Sequence, residues 1–163
     1  MPKVTALNHA VLFVSNVDRS VDFYTKALGM KVVASRPGAA AFMRAPGSDN
    51  HHDLAVMQVP TRPAPPGSVG LYHLAWEVET IEEIAGAIEE LMNLGALVGM
   101  SDHGVSKSLY AKDPDGIEFE VLWRVPREAW GEMEHIAITR PLDLAAELQR
   151  WGKQPASAAA STT

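Results

Sequence analysis

The sequence predicts an α+β fold built from two copies of one βαβββ module. Residues 7–29 read LNHAVLFVSNVDRSVDFYTKALG and residues 71–95 read LYHLAWEVETIEEIAGAIEELMNLG. Each begins with Leu, one residue and His, passes through a strand-like stretch, and continues as an amphipathic helix that ends at Leu-Gly. Three strand-like runs follow each copy, and the Pro-rich stretch 60–70 separates the copies.

The modules extend over about residues 5–60 and 70–125 of a single domain, residues 1–140. Apolar residues recur every three or four positions in both helices, as expected for helices with one buried face. The strand-like runs after the helices are residues 31–35, 40–44 and 53–59, then 96–100, 107–112 and 117–123. A C-terminal helix is predicted over residues 141–152. The small, polar residues 153–163 are predicted to be a disordered tail.

Composition excludes several classes of function. The chain has 163 residues and a net charge of -6, without a concentrated basic surface, so nucleic acid is not expected as a partner. It contains no cysteine, which excludes disulfides and thiolate metal sites. No apolar run reaches the length needed to span a membrane. The N-terminus reads as a strand rather than a signal peptide, so a cytoplasmic protein is expected.

The repeated histidine is the first candidate functional residue. A lone histidine in a strand is most often an ordinary half-buried polar residue, but here both copies place one at the same position. Strand alternation puts His73 on the face opposite the apolar helix-facing residues, and the repeat puts His9 on the equivalent face. Alternation after the turn DPDG adds Glu118 or Glu120. Two imidazoles and one carboxylate form a facial triad with open positions, as in oxygen-activating Fe(II) sites.

These motifs resemble the vicinal oxygen chelate superfamily, which includes glyoxalase I, bleomycin-resistance proteins and extradiol ring-cleavage dioxygenases. The resemblance covers about residues 5–140. It implies that the two modules pair into one mixed, incompletely closed barrel around a metal site. His9 in LNHAVLF, His73 in YHLAWEV and Glu120, four residues after the Gly of DPDG, look like its metal ligands.

Three further segments are similar to those of catechol 2,3-dioxygenase-like enzymes. NHHDLAV resembles the paired-histidine strand, in which His52 would be the acid–base residue. LYAKDPDGIEFE, which contains Tyr110, resembles the dioxygenase signature. DHGVSKSLY, which contains His103, resembles a histidine-bearing segment of these enzymes. Tyr110 and His103 would hydrogen-bond the substrate. The resemblance implies Fe(II), with Mn(II) as the alternative metal. It also implies a catechol-like substrate, dioxygen and a homodimer.

Two alternatives stay open. A glyoxalase or isomerase-type enzyme would use a fourth carboxylate ligand, but aligning the module ends places Gln58 opposite Glu120, and an amide is a poor general base. A bleomycin-resistance-like binding protein would commonly lack the triad. Many extradiol enzymes contain two pairs of modules and this chain contains one, which leaves the substrate open. We expect a metal-dependent extradiol ring-cleavage dioxygenase.

Overall fold

The strands form two four-stranded sheets, each with one long helix, in the α+β arrangement of two βαβββ modules that the sequence predicts. The computed structural model describes residues 1–60, 65 and 67–152. The predicted disordered tail, residues 153–163, lies outside the described residues. The described strands do not close into one continuous barrel. The chain divides into two compact units, Met1–Val69 with Asp113–Gly116, and Gly70–Lys112 with Ile117–Thr163.

The first module is a mixed sheet with strand order β1-β4-β3-β2. Its first and last strands pair in parallel and the other pairs are antiparallel. A parallel pair needs a long crossover connection, and here that connection contains the helix and the β2–β3 hairpin. The elements are β1 (Ala10–Val14), α1 (Val17–Leu28), β2 (Lys31–Arg36), β3 (Ala40–Arg44) and β4 (Leu54–Gln58).

The second module repeats this topology, with strand order β5-β8-β7-β6 and a parallel pair between its first and last strands. The repeat that the sequence predicts is therefore confirmed at the level of strand pairing. The elements are β5 (His73–Val78), α2 (Ile81–Asn93), β6 (Leu97–Asp102), β7 (Ser106–Lys112) and β8 (Glu118–Arg124).

Both long helices begin and end at residues suited to helix termini. The Asn16 side chain caps α1, and Gly29 ends it in the left-handed conformation. Thr80 and Glu83 form a reciprocal capping box at the start of α2. Gly95, with φ of 64°, follows the end of α2. These caps explain why the two copies change from strand to helix and back at equivalent positions.

Each unit has its own apolar core between its sheet and its helix. Leu54 and Val56 of β4 are fully buried in the first unit, and Phe119 and Trp123 of β8 are buried in the second. Burial of one such side chain contributes about 1.5–3 kcal/mol. The opposite face of each sheet is therefore the one that can carry functional side chains.

The turn after β7 belongs to the first unit. The Asp115 carboxylate accepts a hydrogen bond from the backbone N–H of Ser15 (2.9 Å) and pairs with Arg19 (2.8 Å). The Tyr24 hydroxyl donates to Asp113 at 3.0 Å in a buried position. Burial, and then the negative charge of Asp113, raise the pKa of Tyr24, so its hydroxyl remains a donor.

The C-terminal region contains two short 3₁₀ helices, Arg127–Ala129 and Gly131–His135, and the helix α3 (Leu144–Trp151). Residues 133–141 read as an extended segment in the sequence. The structure differs, because this segment begins in the second 3₁₀ helix and makes only an isolated bridge between Arg140 and Asp102. None of the helices in the described ranges is long and apolar enough to cross a membrane.

Candidate active site

Two of the predicted ligands lie side by side in the second module. His73 is the first residue of β5, and Glu120 lies on the adjacent parallel strand, opposite Ala75. Parallel pairing and strand alternation put both side chains on one face of the sheet. The His73 Nε2 atom is 3.1 Å from Glu120 Oε2. Glu120 is buried, so its carboxylate is positioned rather than freely rotating.

This donor pair fits a divalent metal ion. When two ligand atoms each lie about 2.1 Å from one ion and their bonds to it form a right angle, the two atoms are about 3 Å apart. This is close to the separation of His73 Nε2 and Glu120 Oε2. Imidazole with carboxylate is also a donor set that iron accepts. Within the described ranges, no group of three or more His, Asp or Glu side chains is positioned to hold a metal. The participation of His9, which belongs to the other unit, therefore stays a prediction.

A tyrosine–histidine pair lies in the same module. Tyr110 is the antiparallel partner of Glu120. His103 Nδ1 lies 2.9 Å from the carbonyl oxygen of Ile138, which can only accept, so Nδ1 carries the proton. Its Nε2 atom then accepts from the Tyr110 hydroxyl at 2.8 Å. Burial, and then the negative charge of Glu120, raise the pKa of Tyr110, which keeps its hydroxyl neutral.

Tyr72 was missed by the sequence reasoning. Strand alternation predicts that Tyr72 faces the helix together with Leu74, and this is wrong. The strand begins only at His73, so alternation does not extend to Tyr72. Its exposed ring lies 4.9 Å, centroid to centroid, from the His73 ring. An exposed phenol beside a candidate ligand is suited to contact a bound molecule.

The three histidines of the first module lie together. His9 is exposed directly before β1, and the ring of His52 lies 4.5 Å from its ring. Phe42 packs edge-on against His52 at 5.2 Å, another contact that the sequence did not predict. His51 Nδ1 lies 3.1 Å from His52 Nδ1, so these two rings are also in contact. Burial, and then the charges of His9 and His51, lower the pKa of His52.

Two asparagines also belong to this histidine group. The Asn8 side chain bonds His9 Nδ1 at 2.8 Å and Asn50 at 3.0 Å, and Asn50 in turn donates to Asp53 at 2.8 Å. The Asp53 carboxylate is held by several donors. Burial alone would raise its pKa, but hydrogen bonds from Ser48, the Ala45 N–H and Asn50 lower it. Both asparagines adjoin the histidines in LNHAVLF and NHHDLAV, and this adjacency was the available signal.

The proposed counterpart of Glu120 in the first module needs correction. Glu120 pairs with Ala75, two residues after His73. Two residues after His9 is Val11, whose partner is Ala55. Gln58 instead accepts a hydrogen bond from the Val17 N–H, at the start of α1. The alignment of the module ends was wrong because turn lengths hide strand register. The conclusion against a fourth ligand is strengthened, because an alanine side chain has no atom that can bind a metal.

Comparison with known proteins identifies dioxygenases among the relatives of this chain. The chain is 28% identical over 156 residues to the catechol-2,3-dioxygenase of Bacillus subtilis (strain 168), which is 92% of this chain and 53% of that protein. It is 32% identical over 111 residues to biphenyl-2,3-diol 1,2-dioxygenase 2 of Rhodococcus globerulus, which is 66% of this chain and 57% of that protein. The chain therefore spans about half the length of these curated relatives.

Comparison of structures shows the fold. The fosfomycin resistance protein FosX of Listeria monocytogenes aligns with a TM-score of 0.61 and 18% identity, over 78% of this chain and 99% of that one. The same fold thus carries proteins with different names and roles. The sequence profile of one family matches residues 6–121. With the two modules described above, this match shows that the chain belongs to the Glyoxalase/Bleomycin resistance protein/Dioxygenase superfamily.

Proposed function

We propose that this protein is an extradiol ring-cleavage dioxygenase that holds Fe(II) through His9, His73 and Glu120. One observation carries the proposal. The second module presents a ligand pair, separated by 3.1 Å, next to a hydrogen-bonding pair, Tyr110 and His103, separated by 2.8 Å. A metal-bound diol needs both: ligands that leave coordination positions open, and donors or acceptors beside its oxygen atoms.

The reaction requires no further reductant. A catechol-like substrate and one molecule of dioxygen give one ring-opened product, and both oxygen atoms enter the product as the ring bond beside the diol breaks. Bound Fe(II) would supply electron transfer between diol and dioxygen. The ligand set also suits Mn(II), which is the alternative metal of the proposal.

The protein side chains would hold the substrate and move its proton. The Tyr110 hydroxyl donates its one proton to His103, so its oxygen would accept a hydrogen bond from a substrate hydroxyl. His103 would fix the direction of that hydroxyl, because its Nε2 accepts from it while its Nδ1–H is held by Ile138. His52, packed against the His9 ring, would accept a proton from a substrate hydroxyl and return it during cleavage.

The names of the relatives support this reaction class over the alternatives. Two curated relatives at about 30% identity are named as dioxygenases of vicinal diols, and the match to one of them extends over 92% of this chain. A glyoxalase-type reaction is disfavoured because the position equivalent to Glu120 is Ala55, which cannot act as ligand or base. The nature of the diol and the homodimer that the resemblance implies belong to the same proposal.

Oxygen uptake tests the proposal. The protein would be stripped of metal, reloaded with Fe(II) without oxygen, and mixed with catechol and substituted catechols. We expect uptake matched one-to-one by a yellow ring-cleavage product. Glu120→Gln should abolish uptake, whereas Glu89→Gln, on the exposed side of α2, should not change it.

Absence of uptake with every catechol, despite one tightly bound metal ion per chain, would reject the dioxygenase. Thiol adducts of methylglyoxal would then test the glyoxalase-type reaction. Uptake that survives Glu120→Gln would reject the assigned metal site while leaving the reaction class intact.

A further inference from the structure

We propose that Asp53, Asn50 and Asn8 form a hydrogen-bond relay that fixes the tautomer of His9 and keeps its Nε2 lone pair free for a metal. The proposal rests on the assignment of His9 as a ligand in the proposed function. It names Asn8 and Asn50 as positioning residues. All four residues belong to the first unit, so the relay is complete within one module.

The relay begins at Asp53, whose carboxylate can only accept hydrogen bonds. The Asn50 side-chain nitrogen lies 2.8 Å from Asp53 Oδ1 and 3.0 Å from the backbone oxygen of Asn8. Both neighbours are acceptors, so this end of the Asn50 amide must be the NH₂ group, which has two protons to donate. Asp53 is itself held in place by Ser48 and by the Ala45 N–H.

The orientation passes from one amide to the next. With its NH₂ group directed to Asp53, Asn50 presents Oδ1 to the side-chain nitrogen of Asn8, at 3.0 Å. Asn8 then presents its own Oδ1 to His9 Nδ1, at 2.8 Å. An amide oxygen cannot donate, so Nδ1 must carry the proton. A neutral imidazole has one N–H, and Nε2 therefore keeps the lone pair that a metal requires.

Reversing the tautomer would be costly. It would require both amides to turn, which would direct Asn50 Oδ1 at the Asp53 carboxylate and at the Asn8 carbonyl. Three acceptors would then face one another without a proton between them, and at least two hydrogen bonds would be lost. Histidine ligands usually donate their second ring N–H to an oxygen acceptor, and here the relay supplies that acceptor.

Substitutions of the asparagines test the relay. In metal-free protein at a pH where His9 is neutral, nitrogen-15 NMR of the ring should show the Nδ1–H tautomer. Asn8→Leu removes the acceptor, so the Nε2–H form should rise, and Mn(II) binding should weaken by about 10-fold or more, as for other outer-shell partners. Asn8→Asp keeps an oxygen acceptor and should preserve the tautomer. Asn50→Leu should give an intermediate result, because Asn8 can then turn.

Controls separate this relay from the proposed ligand assignment. Asn93→Leu, at the exposed end of α2, should change neither measurement. Variants whose circular dichroism and urea unfolding match the wild type are compared. If His9 keeps the Nδ1–H tautomer in Asn8→Leu, the proposed relay is wrong, whatever the effect of the substitution on Mn(II) binding. If His9→Ala binds Mn(II) as tightly as the wild type, the ligand assignment fails even when the relay determines the tautomer.

Discussion

The two modules share one topology but prepare their histidines in opposite ways. His9 is exposed, and its Nδ1 is held by Asn8, which leaves Nε2 free. His73 is partly buried and directs Nε2 at Glu120, while its buried Nδ1 makes no hydrogen bond within the described part of the chain. The first histidine is thus positioned by a hydrogen-bonded asparagine and the second by a neighbouring carboxylate.

The difference follows from one strand position. The partner of the residue two after the histidine is Glu120 in the second module and Ala55 in the first. A repeat preserves strand register and helix packing, because the core of each module depends on them. It does not preserve chemistry on the sheet face opposite the helix, where one side chain can change with little effect on the core between sheet and helix. Under the proposed function, one module would therefore contribute a single ligand and the other a ligand pair.

The outer strands also differ. The β2 side chains of the first module are almost all exposed. In the second module, Asp102 at the end of β6 pairs with Lys107 at 2.6 Å and with Arg140 at 3.0 Å. Lys107 is buried and also contacts Glu147 of α3 at 3.1 Å. The C-terminal region thus covers and fixes one edge of the second sheet, which also holds His103.

The largest predicted effect is the loss of stability on truncating a buried side chain, tested at equivalent core positions of the two modules. Phe119 and Leu54 both pair with the residue directly after the module's histidine, and both are buried. We expect Phe119→Ala to lower the free energy of unfolding by about 3–5 kcal/mol and Leu54→Ala by about 2–5 kcal/mol. Urea unfolding measures both. If the free energy of unfolding fell by less than about 1 kcal/mol at only one of the two positions, the two cores would not be equivalent.

The next prediction concerns the charged cluster of Asp102, Lys107 and Arg140 in the second module. Burial would raise the pKa of Asp102, but hydrogen bonds from Lys107 and the Gly104 N–H, and the charges of Lys107 and Arg140, lower it. The ionised form is favoured by folding, so this stabilisation is present at neutral pH and is lost as the pH falls below the ordinary value of an aspartate, about 4.

Asp102→Asn should therefore destabilise the protein at pH 7 by about 1.5–3 kcal/mol, the contribution of hydrogen bonds to a charged group. The difference from the wild type should shrink below pH 4. Asp49→Asn, in an exposed loop of the first module, is the matched control and should have little effect at either pH. A penalty for Asp102→Asn that is the same at pH 3 and pH 7 would show that the charge is not responsible.

The smallest predicted effect is that of removing the Tyr110 hydroxyl on kcat/KM. Tyr110→Phe keeps the ring beside His73 but removes the donor to His103. Under the proposed function, kcat/KM for catechol should fall about 10-fold or more, equivalent to roughly 1.4 kcal/mol. Metal affinity should not change, because Tyr110 is not a ligand. Unchanged turnover would remove Tyr110 from the proposed mechanism.

The topology could be predicted from the sequence because it is encoded locally. A histidine at the start of a strand, an amphipathic helix and Leu-Gly at the helix end occur twice in the same order, and the second copy, residues 71–95, is only two residues longer than the first, residues 7–29. Strand alternation put His73 and Glu120 on one face, as the structure has them. These features depend on chain geometry over a few residues, which a sequence displays directly.

Other parts of the site depend on register and side-chain contacts, which the sequence does not display. The position of Ala55 opposite Val11 follows from the length of the turn before β4, so Gln58 was chosen wrongly. Tyr72 contacts His73 because the strand expected from Leu71 begins only at His73, two residues later. The amide of Asn50 reaches Asn8 across 42 residues of chain.

Metal binding by single-site variants tests the central claim most directly. Equilibrium dialysis with Fe(II) under anaerobic conditions should give one ion per chain for the wild type and for His135→Ala. His9→Ala, His73→Ala and Glu120→Gln should each weaken binding by more than the roughly 100-fold that an outer-shell partner can account for. If His9→Ala binds Fe(II) as tightly as the wild type, the first module contributes no ligand, and the proposed division of the site between two modules is wrong.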